Sequence, residues 1–320
     1  MFNLDLLFEN LTNPALLFFI LGILAVCVKS DLEIPPTSAK FISLYLLFSI
    51  GFRGGQELAH ETFDTEIIKS IIFGLLLSAV IPLMYFYILK MKFGVFDAGA
   101  IAATYGSISA VTFITAVSYL ESLQQPIHGQ MVAIMALMES PAIIVSLILV
   151  SLYNKNKEKK ISQLEVFKHS FTNSSIFLLL GSLVIGFIAS EKQALGISPF
   201  TNDLFKGFLV IFLLEMGITS GKKLKSLFQY GYYPFLFAIM IPLINGCITA
   251  YVSGFITDDI SNRFLFSILA ASASYIAVPA AMKNALPEAN PSLYLPMALA
   301  ITFPFNITIG FPIYYFIVLG

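Results

Sequence analysis

The chain has 320 residues, of which 58% are hydrophobic, 14% aromatic and only 12% charged, and its net charge is −1. So low a charge content excludes a soluble domain of this size, and the near-zero balance gives no attraction to nucleic acid or another polyanion. The class is a polytopic membrane protein.

Taken in order, Met1 to Glu9 carries Asp5 and Glu9 and no basic residue, unlike the charged start of a cleavable signal, so the first helix is expected to insert directly. Runs long enough to span follow at Leu11–Val28, Ala39–Glu57, Glu66–Leu89, Asp97–Tyr119, Ile127–Tyr153, Phe171–Ser190, Asn202–Ser220, Gly231–Ile256, Phe264–Met282 and Ser292–Leu319. Alternate loops hold most of the lysines, among them Lys29, Lys40, Lys90, Lys92, the run from Lys155 to Lys168, and Lys222, Lys223, Lys225 and Lys283. The other side holds only Lys69, Lys192, Lys206 and Arg263. Basic residues in short loops stay cytoplasmic, so both termini are expected outside, in the cytoplasmic membrane of a bacterium.

A basic linker, residues 154–169, separates residues 1–153 from residues 170–320, and the two halves echo each other. Thr12-Asn13 recurs as Thr172-Asn173, and Ile81-Pro82-Leu83 recurs as Ile241-Pro242-Leu243 at the same offset of 160 residues. Ser107 to Thr112 lines up with Ser274 to Pro279, and Met135 to Pro141 with Met297 to Thr302 and the following Pro304. An odd number of spans per half makes the copies inverted, the plan of many secondary transporters. The expected fold is therefore all-α, ten transmembrane helices in two inverted five-helix repeats.

The most informative stretch is Ala270-Ala-Ser-Ala-Ser-Tyr-Ile-Ala-Val-Pro-Ala-Ala-Met282. Pro279 lacks a backbone donor and crowds the carbonyl of Tyr275, so the ninth helix is expected to break or kink among small and hydroxylated residues. Its counterpart in the fourth helix places Gly106 beside Thr104, Ser107, Ser109 and Thr112, and glycine permits the same interruption. Two crossed, broken helices would offer N-terminal N–H groups to a small anion and C-terminal or hydroxyl oxygens to sodium. The alternative for each stretch is a proline kink with serines used for helix packing.

Among charges inside spans, Glu139 in Met138-Glu139-Ser140-Pro141 is a sodium or proton ligand by default, one turn from a helix-breaking proline, with a structural carboxyl as the alternative. Arg53 and Glu57, four apart, read as an ion pair on one helix face, and Glu215 has no obvious partner. His60, His128 and His169 fall in predicted loops and read as solvated, as does the Asp258-Asp259 turn. Cys27 and Cys247 read as inert, and no phosphate loop, Walker pattern or HExxH is present, which removes an ATP-driven pump and a zinc protease.

Gly106-Ser-Ile-Ser109, the segment ending Met-Glu-Ser-Pro141, and Ala270 to Pro279 followed by Leu286-Pro-Glu-Ala-Asn-Pro-Ser292 together resemble the sodium-dependent bicarbonate transporter family first known from cyanobacteria. The resemblance implies a core domain moving against a gate domain, a homotrimer, a PII-like cytosolic regulator, and bicarbonate and sodium held between the fourth and ninth helices. Carried over by position, the anion is expected at Gly106, Ser107, Ser109, Ser272, Ser274, Tyr275 and Pro279, and sodium, the coupling ion, at Thr104, Thr112, Glu139 and Thr302. No catalytic residue and no other cofactor are expected. The chain departs from the family pattern at Tyr275, Ala277 and Val278 and at Ala110 and Val111, which keeps small carboxylates beside bicarbonate as substrates. The expected function is sodium-coupled uptake of a small anion by alternating access. A sodium/proton antiporter using Glu139, a passive anion channel and an intramembrane enzyme using Ser109 or Ser274 are the alternatives, the last lacking a histidine or lysine base inside the spans.

Overall fold

The computed structural model describes residues 12–61, 64–154 and 174–320, and among them every regular element is helical. In chain order these are α1 (Pro14–Cys27), α2 (Pro36–His60), α3 (Thr65–Lys90), α4 (Val95–Gly106), α5 (Ala110–Ser122) and α6 (Gly129–Tyr153). The second half holds α7 (Ser174–Ile188), the short α8 (Glu191–Ser198), α9 (Phe205–Leu227), α10 (Tyr232–Val252), α11 (Ile260–Ala271), α12 (Ala277–Ala285) and α13 (Pro291–Leu319). Thr172-Asn173 and nearly all of the basic linker lie outside the described residues.

Local chemistry sets the ends. Asn13 accepts from Ala15 N at 2.9 Å with Pro14 opening α1, and Asp64 accepts from Glu66 N and Ile67 N to open α3. Six helical stretches are long and apolar enough to cross a membrane: Thr65–Lys90, Val95–Ser122, Gly129–Tyr153, Glu191–Leu224, Tyr232–Phe255 and Pro291–Leu319. α1, α7 and α11 are apolar but shorter, and α2 has 25 residues but a more polar sequence. Exposed apolar side chains recur at every fourth position along α3, at Ile68, Ile72, Leu76, Val80, Met84 and Ile88. They do so again along α10, at Leu236, Met240, Ile244 and Ile248. Residues four apart share a helix face, and uninterrupted apolar faces of that length belong against lipid.

The helices pack in two groups. In the first, α1 lies along α9 and α2 along α7. Glycine makes those approaches close: a Cβ on Gly217 would sit 2.0 Å from the Phe19 carbonyl oxygen, and one on Gly55 would sit 2.1 Å from that of Leu183. In the second group, α3 packs on α4 and α6, and α10 on α11 and α13. The centre of this group is the buried run of α4, including Ala98, Ala100, Ala102 and Ala103, with Phe264, Leu265, Phe266 and Ile268 of α11.

Proline behaves differently from its sequence reading at one place. α6 runs unbroken through Pro141, as α3 and α10 run through Pro82 and Pro242, so the break expected beside Glu139 is absent. Packing against α3 and α4 holds the helix on both sides of the lost hydrogen bond. α13 absorbs its prolines by widening into π-helical turns at Met297–Thr302 and Asn306–Gly310.

Candidate functional site

Both expected interruptions are present. α4 ends at Gly106 and α5 begins at Ala110; α11 ends at Ala271 and α12 begins at Ala277. Gly106 sits against Pro82, whose Cδ would lie 2.5 Å from a glycine Cβ, so no larger residue fits where the chain turns out of α4. The second break comes ahead of Pro279, which lies in the first turn of α12, where its missing N–H is not needed.

Each break supplies hydrogen-bond partners to the other. Ser274 N donates to the Thr104 carbonyl at 2.8 Å, and Ser109 N donates to Ser272 Oγ at 3.0 Å. Orphan backbone groups inside a membrane cost several kcal/mol each, so this exchange is what allows two broken helices to coexist there. The end of α11 is closed completely: Ser272 N bonds the Ile268 carbonyl, Ser272 Oγ that of Leu269, Asn245 Nδ2 that of Ala270 and Asn306 Nδ2 that of Ala271.

At the restarts, Ser109 Oγ caps α5 by accepting from Thr112 N at 3.2 Å, and Ser274 Oγ, two residues ahead of the Ile276 N-cap, accepts from Val278 N in the first turn of α12 at 3.3 Å. Both helix starts open on one cavity of about 30 Å³, lined by Ile108, Ser109, Ala110 and Val111 from the first break, Ser274, Tyr275, Ile276 and Ala277 from the second, and Glu139. α2, α7 and α9 close its far wall through Leu46, Leu47, Leu179 and Phe212. Ser43, Ser175, Phe212 and Ile276 also line a wider vestibule of about 580 Å³, together with Glu33, Lys40, Glu215, Thr219 and Lys222. The cavity at the two helix N-termini and the vestibule therefore share a wall at these four residues.

Of the expected anion residues, Ser109, Ser274 and Tyr275 meet in the cavity. Ser107 donates to the Glu139 carbonyl at 3.2 Å, Ser272 joins the breaks, and Gly106 and Pro279 shape the backbone; none of these four lines the cavity. Tyr275 Oη is buried and makes no hydrogen bond among the described residues. Of the expected sodium residues only Glu139 lines the cavity, its side chain otherwise buried and with no hydrogen bond to its carboxyl among the described residues. Thr104 Oγ1 donates back to Ala100 O, while Thr302 Oγ1 donates to Ala238 O and sits 2.8 Å from Tyr105 Oη, so Thr302 ties α13 to α10 and α4. Thr112 is buried, its amide held by Ser109.

Several charges are placed differently from their sequence reading. Arg53 pairs with Glu121 at the end of α5 instead of Glu57, because tertiary approach offers it a partly buried carboxylate. His128 is bonded between Glu61 and Asp259 at 3.2 Å each, and Asp259 caps α11 through Asn262 N, so neither is a freely solvated loop residue. Glu215 accepts from Thr219 Oγ1 at 2.7 Å, and its second oxygen is buried with no hydrogen bond among the described residues. Asn245 and Asn306 escaped the sequence reading altogether. The signal for both was available, since an amide in an apolar span must find partners.

No group of three or more metal-ligating His, Cys, Asp or Glu side chains occurs among the described residues. Sodium, which takes hydroxyl and carbonyl oxygens, does not need one. A family model described as the Na+-dependent bicarbonate transporter superfamily matches residues 14–319. No curated protein matches the chain.

Proposed function

The chain belongs to the Na+-dependent bicarbonate transporter superfamily, and we propose that it couples inward sodium movement to uptake of bicarbonate or a small carboxylate by alternating access. Membership implies sodium-dependent bicarbonate transport in general terms and places the chain among transporters rather than enzymes. The observation that carries the specific reading is the mutual hydrogen bonding of the two breaks, with both restart N-termini and the Glu139 carboxyl facing one cavity. Helix N-termini attract anions through unpaired N–H groups and the helix dipole, and the Ser109 and Ser274 hydroxyls add donors. Sodium then neutralises Glu139 and takes oxygens from the interrupted backbone. A cavity of about 30 Å³ suits few-atom ions.

Three features support the inverted-repeat plan of ten spans. The α3 and α10 lipid stripes superpose at the 160-residue offset, pairing Leu76 with Leu236 and Val80 with Met240. Tyr85 touches Asn245 at that same offset. α1 with α9 and α2 with α7 also exchange first and second spans between the halves. The homotrimer, the cytosolic regulator, the outside termini and residence in a bacterial cytoplasmic membrane are further parts of this proposal, carried by family resemblance and lysine distribution.

Radiolabelled bicarbonate uptake into proteoliposomes tests it. An inward sodium gradient should raise initial uptake about tenfold over choline, and uptake indifferent to sodium would remove the symport reading. One sodium with one monovalent anion moves no charge, whereas a second sodium adds about 2.3 kcal/mol per 100 mV, so an imposed membrane potential reports the stoichiometry. The buried Glu139 carboxyl, which has no hydrogen bond among the described residues, favours one competing reading, sodium/proton exchange at that group. Sodium-driven pH change in the absence of any transported anion would establish it instead.

A further inference from the structure

Two clusters of charge join the first packing group to the second, and both lie at the end of the bundle opposite the vestibule. α2 starts beside the vestibule with Pro36, Lys40 and Ser43, and Arg53 stands 13 residues beyond Lys40, about 20 Å along the axis. α9 runs the other way, from Lys206 to the vestibule residues Glu215 and Lys222.

In the first cluster Arg53 of α2, its guanidinium over the Phe205 ring at 5.5 Å, pairs with Glu121 of α5. Lys206 of α9 approaches the other oxygen of the same carboxylate at 3.6 Å. In the second, Glu61 just past α2 meets His128 at the start of α6 at 3.2 Å, and His128 meets Asp259 at the start of α11 at 3.2 Å. α5 packs on α11 and α13 of the second group, so each cluster has partners in both groups. With His128 protonated, the three cations Arg53, Lys206 and His128 balance the three carboxylates Glu121, Glu61 and Asp259. Glu121 and Glu61 keep only 18% of their side-chain surface exposed, so these contacts are less screened than ordinary surface pairs. Of the neighbouring charges, Glu66 is held by Thr257, and Arg263 donates to the Ala250 carbonyl.

We propose that these clusters form a clasp that shuts the cavity at this end while the vestibule stays open at the other, and that exposing the cavity here requires both to separate. The proposal rests on the alternating-access reading above. Removing one member leaves a partly buried charge unpaired, which biases the molecule toward separation.

The test uses the full chain with Cys27 and Cys247 replaced by serine and a single reporter, Ile114→Cys, on the cavity wall. A membrane-impermeant maleimide is applied separately to right-side-out and inside-out vesicles. The reporter should react from one side only in the parent. Glu121→Gln, which keeps the side-chain shape, and His128→Gln should each raise the rate from the silent side about fivefold. Arg53→Glu combined with Glu121→Arg should return it toward the parent value. An unchanged rate from the silent side, an equal rise from both sides, or no recovery on charge exchange would overturn the clasp. If the parent takes up no bicarbonate while the labelling pattern holds, the transport reading fails and the clasp does not.

Discussion

Tyr85 donates its hydroxyl to Asn245 Oδ1 at 2.6 Å, joining α3 to α10 at positions 160 residues apart. Asn245 turns its amide nitrogen to the Ala270 carbonyl at 3.2 Å, so Tyr85 of the first half orients the side chain that closes the end of α11 in the second. Tyr85→Phe should cost about 1 kcal/mol and Asn245→Leu more, because the second also uncovers a backbone carbonyl. Thermal unfolding in detergent checks both, and the double variant should cost less than the sum since the two share one network.

Ser274 has two duties that substitution separates. Its amide bonds Thr104 O whatever the side chain, whereas its hydroxyl accepts from Val278 N in the first turn of α12. Ser274→Ala should cost about 1 kcal/mol of stability through the lost cap, and Ser109→Ala about the same at α5. Each should raise the KM for the transported anion about five- to tenfold, while Ser274→Thr keeps most of the cap. An anion KM unmoved by both alanine variants would detach the hydroxyls from the substrate.

Glu139→Gln preserves shape and removes the carboxylate charge that faces the cavity. The sodium concentration for half-maximal uptake should rise at least tenfold, about 1.4 kcal/mol, with a smaller change in the anion KM. Equal effects on both constants would indicate a packing role.

His128 lies just outside the spans, and its pKa is pushed up to about 10 by its bonds to Asp259 and then Glu61, against the opposing effect of burial. A group whose pKa rises on folding contributes fully below the ordinary histidine value near 6.5 and loses that contribution as pH climbs through about 10. For Asp259, burial works to raise the pKa, but the His128 and Asn262 hydrogen bonds outweigh it and hold the carboxyl below its usual range, so its contribution disappears in acid. The stability gap between the parent and His128→Gln should therefore be widest near pH 5 to 6, about 1 kcal/mol for so exposed a pair, and should close toward pH 10. Chemical denaturation across that pH range reads it.

Gly217→Ala should destabilise by at least about 2 kcal/mol, since the new Cβ would lie 2.0 Å from a backbone oxygen of α1 that no rotamer change can move. Gly207→Ala on the same helix faces open space and should be neutral or slightly stabilising. Comparing the two by melting temperature isolates the close helix approach from helix propensity.

How far the sequence reached can be seen at particular residues. Low charge and long apolar runs determined the membrane class, and glycine and proline among serines marked both interruptions, because hydropathy and chain breaking are local properties written into a few adjacent residues. Partner choice is not local. Arg53 has Glu57 one turn away on its own helix and yet pairs with Glu121, and His128 is claimed by two carboxylates from distant loops. Pro141 leaves its helix unbroken because α3 and α4 brace it. Only the packed fold decided that Ser109, Ser274, Tyr275 and Glu139 share a cavity while Thr302 does not, since a buried polar group bonds to whatever the surrounding helices bring within 3 Å, and that depends on how those helices cross.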